Sequence, residues 1–331
     1  MKKNIAERLK AICLVLVAAP LIASLASAEA RAQAYPSKPV RIIVPFGPGG
    51  VADVTTRLVA DKLGDKLGQR FVVENVPGAG GIAAARAATS GGNDGYTLTL
   101  LTNGTAISVP LFKKLPFDPL KDFTPISSIG YFDTLFVVNA DAQYKTLQDF
   151  IKTAKDNPGK LNVGTINPGS TQHLTSELFK SSAGLNFVNV TFRTSGEAVL
   201  ALLRNDIQLM IDFYAALRPA LSDKKIRPLA WSGPTPSPAL PDIPTVAQSG
   251  VPGFDVVSWN ALYAPAGTPP AVISTLNGAL RAVLADPELK KRALEMGIDT
   301  RPSSPAEIDA RMRADIQKWG QLIERAGIPR Q

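Results

Sequence analysis

The stretch Pro45-Phe46-Gly47-Pro48-Gly49-Gly50-Val51-Ala52-Asp53 follows an apolar run, Val40–Val44, and opens a helical pattern. Gly47-Pro48-Gly49-Gly50-Val51-Ala52 fits the G-x-G-x-x-G/A dinucleotide fingerprint. Glu74 stands about where a ribose-binding carboxylate is expected, ~20 residues on. Two features count against nicotinamide chemistry. Pro48 removes one N–H from the phosphate cradle, and Gly78-Ala79-Gly80-Gly81-Ile82-Ala83 fits the same loose pattern in the next unit. What remains is a more general property. Gly-rich turns at 46–51, 77–82, 167–171 and 194–196 each lead from an apolar run into a helical pattern. Unpaired N–H groups at a helix start, with the helix dipole behind them, favour an anion, and glycine lets it approach the backbone.

Other chemistries find little support. There is no G-x-S-x-G elbow. His173 is the one histidine, so an exported α/β hydrolytic enzyme would have to be built around it; this is the alternative reading. One histidine and a single early cysteine, Cys13, make transition-metal ligation improbable. No metal site, catalytic residue or cofactor is therefore expected. Among the carboxylates, Asp53 in a first helical turn suits the satisfaction of nearby amides. Asp212, at the end of an apolar strand, suits a ligand donor, a water, or the cap of the next helix. Arg193 suits either a cleft carboxylate or the solvated rim. Phe46, Phe192, Phe213 and Tyr214 stand beside the turns and suit either a pocket wall or the core.

The elements that position these turns read as βα units. Strands are expected at Val40–Val44, Phe71–Val73, Thr97–Leu101, Leu161–Gly164, Phe187–Phe192, Ile207–Phe213 and Ile226–Trp231, with an extended crossover at Val256–Tyr263. Val51, Val54 and Leu58 recur at helical spacing. An Ala-rich helix is expected at 82–89, and Thr146 with Asp149 forms a capping box for a helix to about Asp156. Prolines 234, 236, 238, 241, 244 and 252 make 233–252 irregular. Two helices, roughly 271–296 and 305–326, close the chain. The last carries Ile308, Met312, Ile316, Trp319 and Ile323 on one face, and Gly327 stops it. Strands ending in Gly-rich turns place those turns at the carboxyl edge of open sheets, where ligands bind.

Lys2, Lys3, Arg8 and Lys10 precede an apolar run, Ala11–Leu25, too short for a comfortable membrane span. With Ala32-Gln33-Ala34 as the cleavage pattern, residues 1–34 read as an export signal. Removal leaves 297 of the 331 residues and no cysteine. Net charge falls from +8 to +5, because the segment carries five Lys/Arg and two Asp/Glu. A disulfide framework is excluded. The basic residues are scattered without interleaved aromatics, so nucleic acid is not expected as a partner.

Tyr35-Pro36-Ser37-Lys38-Pro39-Val40-Arg41, Val44-Pro45-Phe46-Gly47-Pro48-Gly49-Gly50 with Asp53 and Arg57, Val73 to Gly81, Asp94-Gly95-Tyr96-Thr97, Gly169-Ser170-Thr171-Gln172-His173-Leu174, Asp242-Ile243-Pro244-Thr245 and Ala264 to Pro269 together resemble the solute-binding proteins of the tripartite tricarboxylate transporter family, also called the Bug family. The resemblance covers essentially all of the chain after the signal. It implies an α/β, two-lobed periplasmic-binding-protein fold, type II-like. Each lobe would be a mostly parallel sheet flanked by helices, with two crossover strands as the hinge. Lobe 1 would take 35–138 plus 260–331, and lobe 2 139–259. The implied function is capture of a small organic carboxylate (di- or tricarboxylate, or aromatic) by a monomer, for delivery to membrane subunits of a transporter. The implied ligand-binding residues are Phe46, Gly47, Gly49, Gly50, Val51, Ala52, Asp53, Asn103, Gly104, Thr105, Ser170, Thr171, His173, Phe192, Arg193, Thr194, Asp212 and Phe213. The chain departs from the family at Phe192-Arg193-Thr194-Ser195-Gly196, where Tyr-Lys-Gly is common, and at Asn103-Gly104-Thr105, where a histidine is common.

Overall fold

The computed structural model describes residues 35–325 and 327–331; the expected signal segment lies outside them. Lys38–Gln331 forms one compact unit. Its strands are β1 Val40–Val44, β2 Phe71–Asn75, β3 Thr97–Thr102, β4 Phe123–Asn139, β5 Asn162–Ile166, β6 Val188–Phe192, β7 Leu209–Phe213, β8 Ile226–Trp231 and β9 Val257–Pro265. Among the described residues the helices are α1 Val51–Leu67, α2 Ile82–Thr89, α3 Asn103–Leu111, α4 Leu147–Asp156, α5 Thr171–Ser182, α6 Ser195–Leu203, α7 Tyr214–Ser222, α8 Pro270–Leu284, α9 Pro287–Leu294 and α10 Pro305–Arg325. None of them is long and apolar enough to cross a membrane.

The strands form one sheet of order β2-β1-β3-β9-β4-β7-β5-β6, with β8 also on β4. The outer pairs, β1 with β2 and β3, and β5 with β6 and β7, are parallel. The central pairs, β3–β9, β4–β9, β4–β7 and β4–β8, are antiparallel. The sheet is therefore mixed rather than mostly parallel. The correction comes from β4, which runs on for 17 residues. Its first part pairs with β9 as far as Asp133, and from Thr134 it pairs with β7. The strands expected from the sequence include none here, because Pro125 and Gly130 interrupt the run and ordinarily mark a strand's limit. Register shifts beside both residues absorb them. Gly130 is also closely covered: a Cβ there would stand 2.9 Å from Ile298 Cγ2 and 3.3 Å from Thr55 Cγ2 of α1.

Three further differences concern helices. α3 starts directly after β3, where only the strand's end is expected, and Thr105 Oγ1 accepts a bond from Thr102 N. α7 begins at Tyr214, straight after the Phe213 end of β7. The expected helix over 271–296 is two helices. Asp286 ends the first segment and caps the second, accepting from Leu289 N, with Pro287 at the first helical position.

Period-2 alternation along the two long strands divides their side chains between two faces. Phe132, Ser258 and Asn260 face one side. Tyr131 and Trp259 face the other, where Trp259 Nε1 donates to Asp315 Oδ2 of α10 at 2.6 Å and the Arg301 guanidinium lies 4.3 Å from the Tyr131 ring centroid. The stripe of α10, with Ile308, Met312, Trp319 and Ile323 buried and Ile316 partly buried, packs into the main core. Each full burial stabilises by roughly 1.5–3 kcal/mol.

Asp133 sits at the changeover, in a groove with Tyr131, Pro234, Pro236, Pro238 and Leu294. Burial, reinforced by the nearby charge of Asp255, pushes its carboxyl from 3.8 up to about 7. The folded state thus keeps a proton that the unfolded chain releases. That contribution to stability is complete below 3.8 and is lost as pH rises through about 7. Asp133→Asn should remove a fall of up to about 1.4 kcal/mol per pH unit across that window. Denaturant unfolding of both proteins between pH 4 and pH 8 checks this: parallel stability profiles would show that Asp133 titrates normally.

Candidate functional site

The carboxyl ends of β1, β3, β5 and β7 converge on one cavity, lined by Phe46, Gly50, Val51, Ala52, Thr102, Ile166, Thr171, Gln172 and Phe213, and closed by Phe132, Ser258 and Asn260 of the crossing strands. A second cavity adjoins it, sharing Phe46 and Thr102, lined also by Gly78, Gly80, Gly81, Gly104, Thr105, Ser108, Asn167, Pro168, Gly169 and Ser170. Their volumes are about 20 and 10 Å³, room for about one water in each at most. Neither lining contains a lysine, arginine or histidine.

Positive potential comes instead from two helix starts. Gly50 caps α1 with no side-chain hydrogen bond, which leaves the amides of the first turn open, and Val51 and Ala52 of that turn line the cavity. From the other half of the sheet comes α5. Ser170 Oγ accepts from His173 N, while Thr171 and Gln172, in the same first turn, line the cavity. Phe132 and Phe213 meet edge to face with ring centroids 4.8 Å apart and form its apolar wall.

The α1 loop is held from behind. Asp53, 4% exposed, accepts from Gly49 N through Oδ2 at 3.0 Å and from Arg57 Nε through Oδ1 at 2.9 Å. Arg57 Nη2 reaches Asn75 Oδ1 at 3.0 Å, and Asn75 Nδ2 returns to the Phe46 carbonyl at 2.9 Å. Gly49 itself needs a glycine conformation, φ 80°. On the other wall Trp319 Nε1 donates to Asn103 Oδ1 at 2.8 Å, Asn103 Nδ2 donates to Thr171 Oγ1 at 3.1 Å, and Thr171 Oγ1 lies 3.1 Å from Ser258 Oγ. This chain ties the last helix to both halves of the sheet.

The halves touch across the site. A Cβ on Gly47 would stand 2.6 Å from Thr194 Cγ2, and Gly80 N donates to the Pro168 carbonyl at 3.2 Å. Glycine at 47 is therefore used for loop-to-loop approach.

Of the residues expected at the ligand, Phe46, Gly50, Val51, Ala52, Thr171 and Phe213 line the first cavity, and Gly104, Thr105 and Ser170 the second. Asn103, Asp53, Gly47, Gly49 and Thr194 stand behind the lining and hold it. Thr194 also caps α6, accepting from Glu197 N. Phe192 packs in a smaller core with Leu202 and Ile207. Arg193 is exposed, and its backbone N–H donates to Glu197 Oε2. His173 is outside both linings and 5% exposed; its Nδ1 has no partner and its Nε2 lies 3.9 Å from Glu177 Oε1. Burial lowers its pKa, against a smaller pull upward from Glu177. Asp212 does not cap α7. Fully buried, its Oδ1 accepts from Phe213 N at 2.7 Å and Gln172 Nε2 at 2.8 Å. Burial pushes its pKa up, and hydrogen bonds from Gln172, Ser195 and Phe213 pull the other way. Glu74 is far from any ribose role: it pairs with Arg41 at 2.7 Å on the surface. Among the described residues no group of three or more His, Cys, Asp or Glu could hold a metal.

Sequence reasoning missed Thr102, Phe132, Ile166, Gln172, Ser258 and Asn260 as lining residues. Strand-end positions gave a usable signal for Thr102 and Ile166. Nothing local marks Phe132, Ser258 and Asn260, which reach the site through the pairing of β4 with β9.

The model of the tripartite tricarboxylate transporter family receptor matches residues 55–328. The chain belongs to that family. BugT of Bordetella pertussis is 31% identical over 97% of this chain and 98% of its own. The solved structure of Rpa4515 of R. palustris with adipate is 33% identical, with a TM-score of 0.86, covering 89% of this chain and 99% of that one. MatC of Rhodopseudomonas palustris with bound malate is 30% identical, with a TM-score of 0.82, covering 87% and 100%. The α/β fold is that of periplasmic binding proteins, and the family is one of solute-binding receptors rather than enzymes.

The clamp behind the α1 loop gives a prediction. Asp53→Ala leaves the Gly49 N–H and the Arg57 guanidinium without their acceptor. It should cost about 1–3 kcal/mol of stability and weaken binding of any acid held at α1 by on the order of tenfold. Calorimetric titration and denaturant unfolding of both proteins check this; unchanged affinity would show that the loop needs no clamp.

Proposed function

We propose that this receptor captures a small organic carboxylate between the two halves of its sheet and delivers it to the membrane subunits of a transporter. The observation that carries the reading is the pairing of two helix starts, α1 and α5, on one cavity whose lining has no cationic side chain. Open amides at a helix start suit an anion's oxygens without a full countercharge, and hydroxyls of Thr102, Thr171 and Ser258 supply further polar contacts. The relatives support the ligand class: Rpa4515 holds adipate and MatC malate, both carboxylates.

The site residues would be those lining both cavities, with Asp53, Asn103 and Asp212 holding them. The halves would act as lobes, 35–138 plus 260–331 and 139–259, bending where β4 changes partners at Asp133–Thr134 and where β9 begins. Such small cavities admit an acid only when the Gly47–Thr194 and Gly80–Pro168 contacts part, so capture is coupled to closure. The basic n-region and apolar run of residues 1–34 support export to the periplasm, and a monomer suffices for the site. A hydrolytic role for His173 has no support, because the ring lies outside the cavities.

Thermal melting of residues 35–331 against mono-, di- and tricarboxylates, aliphatic and aromatic, tests the reading. A true ligand at about 100 times its dissociation constant adds about 2.7 kcal/mol, so a small set of acids should raise the melting temperature clearly. No shift with any acid, after unfolding and refolding to strip carried ligand, would overturn the proposal.

A further inference from the structure

Gln172 is the side chain of the cavity whose orientation the structure dictates. It is 3% exposed and lines the cavity from the first turn of α5. Its Nε2 donates to Asp212 Oδ1 at 2.8 Å, and the same oxygen accepts from the Phe213 backbone N–H at 2.7 Å. Both N–H groups donate to the one carboxylate oxygen, so the Gln172 amide turns its NH₂ toward Asp212. The reversed amide would set carbonyl oxygen against carboxylate oxygen. With Nε2 committed, the Gln172 carbonyl Oε1 is left without a hydrogen-bond partner among the described residues. Asn260, 2% exposed on the crossing strand, adds an Nδ2 that also has no partner.

We propose that Gln172, positioned by Asp212, selects acids that carry a hydroxyl or amino group beside the carboxylate, because that group donates to Oε1. This deepens the proposed function and rests on it. An acid lacking the donor would bury Oε1 against carbon and leave it unsatisfied, which a hydrogen-bonding site penalises. A hydroxyl can also accept from Asn260 Nδ2, whereas an ammonium cannot, so the two donor types separate at Asn260. The three phenylalanines that line the same cavity, Phe46, Phe132 and Phe213, hold the carbon body and are indifferent to the donor.

The test is calorimetric titration of residues 35–331 with acids matched in carbon skeleton: malate and aspartate against succinate, and mandelate and phenylglycine against phenylacetate. At least one matched set should show the donor-bearing acid binding about tenfold or more tighter. In Gln172→Leu and Gln172→Met, each confirmed as folded by its melting curve, that ratio should fall to about twofold or less while the acid still binds. Asn260→Leu should weaken the hydroxy acid more than the amino acid. Equal or tighter binding of the acid without a donor in wild type would overturn the inference and leave the proposed function standing, as would a ratio that survives both Gln172 substitutions. No binding by any acid would overturn the proposed function and this inference with it.

Discussion

Strand β4 belongs to both halves of the sheet, and almost every feature of the site follows from that. Its antiparallel pairing with β9 ends at Asp133, and its pairing with β7 starts at the next residue. The parallel units on either side are thereby brought carboxyl end to carboxyl end. The Gly-rich turns after β1 and β2 meet those after β6 and β5 across the strands that join them, Gly47 against Thr194 and Gly80 against Pro168. The same pairing register puts Phe132, Ser258 and Asn260 into the floor of the cavity and sends Tyr131 and Trp259 to the opposite face.

In the proposed reading, anion recognition is a backbone property, supported by side chains most of which stand behind the cavity lining. The amides at the starts of α1 and α5 are useful because Asp53, Arg57 and Asn75 fix the loop before one helix, and Trp319, Asn103 and Ser258 fix the start of the other. A lysine in the cavity would bind anions as a point charge, with less geometric discrimination. Amides and hydroxyls at fixed positions distinguish acids by shape and by where their donors lie. Asp212 fits this arrangement. It is buried behind the lining, where its work is to orient a neutral neighbour.

Much of this was legible in the sequence, unevenly. The βα units and most strand limits followed from apolar runs ending in glycine turns, and Ile82–Thr89 and Leu147–Asp156 matched their expected spans, because local pattern and capping decide such elements. The proposed amide cradle rests on the same turns. The resemblance to the receptor family, carried by motifs spread over the whole chain, agreed with the family comparison. What the sequence hid is long-range. β4 was masked by Pro125 and Gly130, whose irregularities only the partner strand β9 reveals. Gln172 looked like one polar residue in a helix start, and its meaning depends on Asp212, 40 residues away in the chain. Arg193 suited either a cleft carboxylate or the solvated rim, and it lies exposed, because the turn before α6 meets Gly47 through Thr194 instead.

The central claim, that an acid is held by amides from both halves at once, is tested most directly by amide NMR. A deuterated, nitrogen-15-labelled sample of residues 35–331 would be titrated with an acid that raises the melting temperature. The account predicts large, simultaneous shifts of the amides of Val51 and Ala52 in one half and Thr171 and Gln172 in the other, saturating at one acid per chain. Shifts confined to one half, or centred on the surface basic groups Lys318 and Arg325 of α10, would contradict it.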